Sequence, residues 1–338
     1  MNTFSQMAAS QPDRPEQMAE FDAETPGRPS YVTLLEGRVD IVGRYSPYSG
    51  IRGITPQAHR AEALREVLEI ERGTVEGGQR HDLSVGQGTA AFYTRRLVWD
   101  SDFWGREVYQ LVLILSDLDA HEMVKAARMF ATTVVPTLGC DELRTEIPAE
   151  DVEMIQALTG AGFRSVVTQV VHVRDSLKDL EYPRFPVRIA STDDIDALRE
   201  TAATMRNPYD RAHADVRTSE VDADRYLSHF AEACVRGYTD IVLVPDRAEA
   251  NSIVATNLLE EEWERLGVNV SQIVLAAVSA STNRGWAIKM LYETLYLLRD
   301  RGATRVMMKT QVQNYTVHRC AHLAGFRVAA SSQILLYP

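Results

Sequence analysis

Asn314-Tyr315-Thr316-Val317-His318-Arg319-Cys320-Ala321-His322-Leu323-Ala324-Gly325-Phe326 stands between two apolar runs, Arg305 to Gln311 before it and Val328 to Leu336 after it. The flanking runs read as strands and the segment between them as a short helix, Thr316 to Ala324, that turns through Gly325-Phe326 into the last strand. Upstream, the apolar strand Ile273 to Val278 runs into Ser281-Thr282-Asn283-Arg284-Gly285-Trp286-Ala287. A helix, Trp286 to Asp300, begins at once, with Ile288, Leu291, Tyr292 and Leu295 on one face. A strand, a turn containing Gly, and a helix N-terminus together aim unpaired backbone N–H groups at an anion. The turn alone also fits an ordinary strand-to-helix connection.

Further out, Pro186 to Ala190 predicts a strand, Ser191-Thr192-Asp193-Asp194 a helix start with Ile195, Leu198, Ala202 and Met205 at helical spacing, and Ala223 to Arg236 a second helix ended by Gly237. Strands are expected at Asp240 to Val244, Ser252 to Leu259 and Gln272 to Ala280. The order β-α-α-β-β-β-α-β-α-β is that of mixed α/β layers around one sheet. Asp175 to Phe185, with two prolines and several charges, has linker composition and marks a domain boundary.

The first half echoes the second. Asp151 precedes Phe163 by twelve residues in a helix ending Ala161-Gly162-Phe163, as Asn314 precedes Phe326 in one ending Ala324-Gly325-Phe326. Strands are expected at Ala90 to Leu97, Glu107 to Leu115, Glu142 to Ile147 and Ser165 to Val173, and helices at Asp119 to Val134 and Asp151 to Thr159. Tyr31 to Leu83 is the least readable stretch, with one expected helix, Pro56 to Arg72. The resulting division is a disordered leader 1–30, an accessory segment 31–83, a first α/β unit 84–175 and a second 186–338.

At 338 residues, with 45% apolar and 25% charged residues, the chain has room for about two soluble globular units. No run approaches the roughly 18 apolar residues of a membrane span, and the N-terminus lacks a secretory pattern, so a cytoplasmic protein is expected. Cys140, Cys234 and Cys320 have neither disulfide-framework nor metal-ligand spacing, so no metal is expected. A net charge of −11 argues against a nucleic-acid partner, whose binding needs many cationic contacts.

The pair of motifs, Asn314 to Phe326 and Val278 to Ala287, resembles the GNAT acyltransferases. The resemblance covers about Phe185 to Tyr337, and Phe92 to Val173 looks like a degenerate copy. Within that superfamily the similarity is nearest to the TDP-fucosamine acetyltransferases, which carry a partial first half beginning like Trp99-Asp100-Ser101-Asp102-Phe103-Trp104-Gly105.

The resemblance implies an N-acyltransferase that uses acetyl-CoA or another acyl-CoA as co-substrate and acylates a small-molecule amine, such as an amino sugar on a nucleotide. Ala276, Val278, Ala280, Asn283, Arg284, Gly285, Trp286, Ala287 and Asn314 would hold the donor. The Tyr that the family places seven residues after the Asn, to protonate the leaving thiolate, is Ala321 here. His318, one turn back on that face, and Tyr315 are the substitutes, and Glu260 is the candidate general base. Acceptor recognition falls to Arg206, Tyr209, Arg211, Tyr226 and His229, since guanidinium forks suit diphosphates. Trp99 to Trp104 is expected to pack between the halves rather than touch the acceptor. A longer acyl donor, a carrier-protein thioester, a homodimer and an inactive GNAT-derived binding module are the alternatives left open.

Overall fold

The computed structural model describes residues 30–204, 207–246, 252–279 and 285–338. The first half consists of α1 (Tyr31–Glu36), α2 (Val39–Val42), α3 (Pro56–Glu71), β1 (Gln79–Val85), β2 (Gly88–Arg96), α4 (Val98–Trp104), β3 (Val108–Ser116), α5 (Ala120–Met129, extended by a π turn Phe130–Val134), β4 (Glu142–Pro148), α6 (Val152–Gly160) and β5 (Arg164–Arg174). The second consists of β6 (Val187–Ile189), α7 (Ile195–Thr204), α8 (Arg211–Ala214), α9 (Glu220–Ala233), β7 (Ile241–Pro245), β8 (Ser252–Asn257), α10 (Glu260–Leu266), β9 (Val270–Val278), α11 (Trp286–Asp300), β10 (Arg305–Gln311), α12 (Tyr315–Leu323) and β11 (Arg327–Tyr337).

The eleven strands among the described residues form one sheet, in the order β1-β2-β3-β4-β11-β5-β10-β9-β8-β7-β6. At its centre each half's last strand crosses into the other half: β11 lies between β4 and β5, and β5 between β11 and β10. β5 and β11 are antiparallel to each other over nearly their whole length. The antiparallel pair relates the halves by an approximate two-fold, with the parallel pair β3–β4 matching β9–β10.

Alternating side chains divide the core by face. On one face α5 and α6 cover Phe92, Leu111, Leu143 and Leu335, while α11 and α12 cover Ile273, Val306 and Met308. On the other face α1 and α3 cover Tyr93, Leu113 and Leu115; Tyr48, Ile51 and Ile54 cover Val171, Val173 and Met307; and α7 and α9 cover Val242, Val244 and Ile253.

Several local expectations change. The stretch 31–83 is built into the core, because the apolar side chains of α1, α3 and the 48–54 turn close sheet faces that would otherwise be wet, and β1 forms the sheet's edge. Val98–Trp104 is a helix, ended by Gly105 at φ +62°, not a loop between strands. The linker 175–185 is strapped onto α11: the Tyr296 hydroxyl takes the Tyr182 N–H at 2.9 Å, Tyr182 stacks on Tyr292 at 4.0 Å, and Arg184 pairs with buried Glu293 at 2.9 Å. Glu260 opens α10 instead of ending a strand.

Candidate functional site

The second half opens a gap inside its own sheet. β9 and β10 are paired only from Val270 and Arg305 to Ile273 and Met308. Beyond that point β9 stays with β8 as far as Val278, and β10 stays with β5 as far as Gln311, but the two no longer meet. The cause is local: the β8–β9 register shifts between Ala255 and Thr256, which leaves Val274 as a bulge, and a bulge bends and twists its strand. Backbone N–H and C=O groups on the facing edges are left without ladder partners, which makes the gap a place for an extended ligand to pair.

The gap leads to the start of α11. Gly285, at φ +81°, turns the chain into the helix, and a Cβ built on it would meet nothing within 4 Å. Among the described residues no side chain caps this helix start and its first turn holds no acidic residue, so nothing there offsets the positive end of the helix dipole. Trp286 is buried and tilted against Phe185. Lys289, not singled out from the sequence, lies one turn on, its ammonium 5.1 Å from the Trp286 ring. Ala276 is exposed and Val278 half-buried along the gap. Ala280, Asn283, Arg284 and Arg206 lie outside the described residues, and Ala287 follows Trp286 in the first turn of α11.

The corresponding place in the first half is built differently. β3 and β4 part after Gln110 and Arg144, beside a bulge at Val112. There the turn into α5 is filled with carboxylates: Asp117 accepts the Thr89 N–H at 2.6 Å and Asp119 caps the Glu122 N–H at 2.8 Å. Gly37, at the end of α1, approaches so closely that a Cβ there would meet the Ser116 carbonyl oxygen at 2.4 Å. Negative charge and a covered surface make this turn unsuited to hold a phosphate.

α12 begins with Asn314, whose side-chain oxygen accepts the Val317 N–H at 3.3 Å while its amide donates to Thr310 at 3.1 Å. Ala321 is fully buried under the helix, and Tyr315 projects into solvent at 78% exposure. His318 faces inward. Its Nε2 lies 3.0 Å from the Val312 carbonyl and 3.2 Å from that of Gln311, so this nitrogen carries the proton. Its Nδ1 therefore accepts, at 2.7 Å, from Nε2 of His172 on β5, which leaves the buried His172 Nδ1 without a partner. Burial, and then the neighbouring His318, push His172 down to about 4.

The remaining predicted residues disperse. Glu260 is exposed and sits beyond the β8–β9 end where pairing with β10 is intact, away from the gap. Arg211 donates to the Tyr226 hydroxyl at 2.9 Å and to Asp100 of α4 at 3.4 Å. Tyr226 also stacks on Trp104 at 5.4 Å, and His229 meets Phe103 edge-on at 5.4 Å. These three thus join α8 and α9 to the aromatic helix of the other half. Tyr209 is half-exposed at the start of the α8 segment. The α7–α8 loop approaches the gap through Asn207, which bonds Gln311 at the end of β10.

Among the described residues no group of three or more His, Cys, Asp or Glu is placed to hold a metal, and no helix is long and apolar enough to cross a membrane. No family model and no curated protein matches the sequence. Solved structures do match. A functionally unknown conserved protein from Staphylococcus epidermidis aligns at TM-score 0.50 and 12% identity, over 77% of this chain and 94% of its own. A GCN5-related glucosamine N-acetyltransferase region of a fungal multi-domain β-N-acetylglucosaminidase aligns at TM-score 0.51 and 13% identity, over 90% of this chain and 37% of its own. A tandem GNAT protein from the clavulanic acid pathway aligns at TM-score 0.45 and 12% identity, over 90% of this chain and 95% of its own. At these identities the likeness shows the fold alone: the chain has the fold of the matched GCN5-related region, mixed α/β layers on one sheet.

Proposed function

We propose that the second half is an acyl-CoA-dependent N-acyltransferase, and the observation that carries this reading is the bulge at Val274 with the gap it opens between β9 and β10. The gap offers unpaired strand edges to the amide groups of a pantetheine arm. It ends at the N-terminus of α11, where Gly285, Ala287 and Lys289 suit a pyrophosphate. The glucosamine N-acetyltransferase region among the matching structures is consistent with an amine acceptor, as its name states.

In the reaction the amine nitrogen attacks the thioester carbonyl carbon, the C–S bond breaks, and the amine's proton is finally carried by the CoA thiol or by solvent. Positioning supplies much of the rate. Ala321 brings no proton donor, and the His318 N–H is held by two backbone carbonyls, so the thiolate leaves without a dedicated acid on α12. Titration calorimetry with acetyl-CoA tests the reading: saturable binding is expected, and a chain that binds neither acetyl-CoA nor a longer acyl-CoA is not an acyl-CoA enzyme.

A further inference from the structure

On the face of the sheet opposite α11 and α12, a cavity of about 180 Å³ lies between the halves. That is more than ten times the roughly 10–15 Å³ one water needs on such a measure. Its floor combines the first half's parted strands with the centre of the sheet: Gln110, Val112 and Glu146 on one side, Ser332 and Lys309 on the other. Tyr45, Ser46 and Pro47, in the segment after α2, line it from above the sheet. Glu146 accepts from Lys309 at 2.9 Å and from the Ser332 hydroxyl at 2.7 Å, a contact that spans 163 residues of chain to Lys309. Lys309 is also the first residue of β10 beyond its last pair with β9. The cavity and the donor gap therefore meet at one residue: the Lys309 side chain lines the cavity and its backbone borders the gap.

We infer that this cavity is the acceptor pocket of the transferase proposed above, and that it takes a small, hydroxyl-rich primary amine without phosphate, its amine bonded to Glu146. The inference rests on that functional reading for its chemistry, but the cavity stands independently. Glu146 has room on its carboxylate for further donors, since two oxygens offer about four acceptor positions. Burial raises this carboxyl, but Lys309 and Ser332 outweigh it and hold it charged, below the usual range. Hydroxyls of Ser46, Ser331 and Ser332 can each donate or accept, which suits a ligand with several hydroxyls. The lining cations, Arg44 and Lys309, already face Glu150 at 3.7 Å and Glu146, so a diphosphate would have to displace carboxylates. The half whose turn is unsuited to a phosphate thus supplies the acceptor wall for the half with the proposed donor site.

The test uses the full-length protein and three probe amines: glucosamine, UDP-glucosamine and n-hexylamine. Each is titrated calorimetrically without donor, and then assayed for CoA release from acetyl-CoA. Glucosamine is expected to bind at least tenfold more tightly than the other two. Glu146→Gln should raise its Kd and KM at least tenfold while leaving the Kd of acetyl-CoA within twofold. The double variant E146Q/K309Q, which leaves no unpaired charge, guards against a folding defect and should show the same loss. Preference for UDP-glucosamine or hexylamine, no amine binding at all, or an unchanged glucosamine Kd in both variants overturns the inference. Glucosamine binding without acetyl-CoA binding would instead overturn the transferase reading and leave the pocket standing.

Discussion

Asp151 and Asn314 perform the same local task at matching places: each caps the helix that leads into its half's last strand, accepting a backbone N–H three residues on, Met154 or Val317, at 3.3 Å. They differ in what else they hold. Among the described residues Asn314 adds a bond to Thr310, whereas buried Asp151 also takes Arg38 and the Tyr45 hydroxyl of the N-terminal segment. Asn314→Ala should therefore cost about 1 kcal/mol, the loss of a cap. Asp151→Ala also strands a buried guanidinium and should cost roughly 3 kcal/mol. Urea unfolding measures both, and limited proteolysis should cut Asp151→Ala faster within 31–55. Equal costs for the two variants would mean that the N-terminal segment is not anchored through Asp151.

Arg211 ties the halves together through Asp100 and Tyr226. Asp100 is pushed up by burial, against the opposing pull of Arg211 and the Tyr226 hydroxyl, so it depends on these partners to stay charged. Arg144 stays 2.8 Å from Asp100 and still offsets its charge, so Arg211→Met should cost about 1.5–3 kcal/mol, the loss of hydrogen bonds to a charged group. The double change Asp100→Asn with Arg211→Met should cost measurably less than the single one. Denaturant midpoints decide it, and a double variant less stable than the single would refute the ion-pair account.

The second half was largely legible in sequence because its strands and helices obey periods of 2 and 3.6: Arg305 to Gln311 and Trp286 to Asp300 fall where the pattern puts them. The echo around Asp151 and Asn314 was also visible, since caps and Gly-Phe turns are local. The exchange of β5 and β11 was not, because a strand's alternation says which faces are buried but not which neighbours it has. The bulge at Val274 depends on register with β8, which no single run encodes. Glu146 and Lys309 carry no mutual signal across 163 residues, and nothing in the sequence pairs His318 with His172 until β5 brings them together.

His172 gives the stability a pH dependence of known sign. Its folded value, about 4, lies below the ordinary ~6.5 of an exposed histidine. The neutral ring is the favoured folded form, so its contribution is complete above about pH 6.5 and is lost as pH falls toward about 4. Allowing for solvent screening, the loss should be on the order of 2 kcal/mol. Urea unfolding at pH 7, 5.5 and 4.5 should fall less steeply for His172→Leu than for the parent chain. Parallel curves would show that His172 does not carry the pH dependence of unfolding.

Gly285 separates steric from conformational effects at the proposed donor site. Its φ of +81° strains any side chain, and a β-branched one most, so Gly285→Val should cost roughly 1–3 kcal/mol of stability. Asn tolerates that conformation better, so Gly285→Asn should cost less. In the free protein a Cβ here meets nothing within 4 Å, so packing adds no penalty to either variant. If the phosphates of an acyl-CoA lie against this turn, both side chains intrude on them, and the Kd for acetyl-CoA should rise at least tenfold, about 1.4 kcal/mol, in both. Calorimetry alongside thermal unfolding reads the two quantities apart: unchanged affinity in Gly285→Asn would move the donor's phosphates away from this turn.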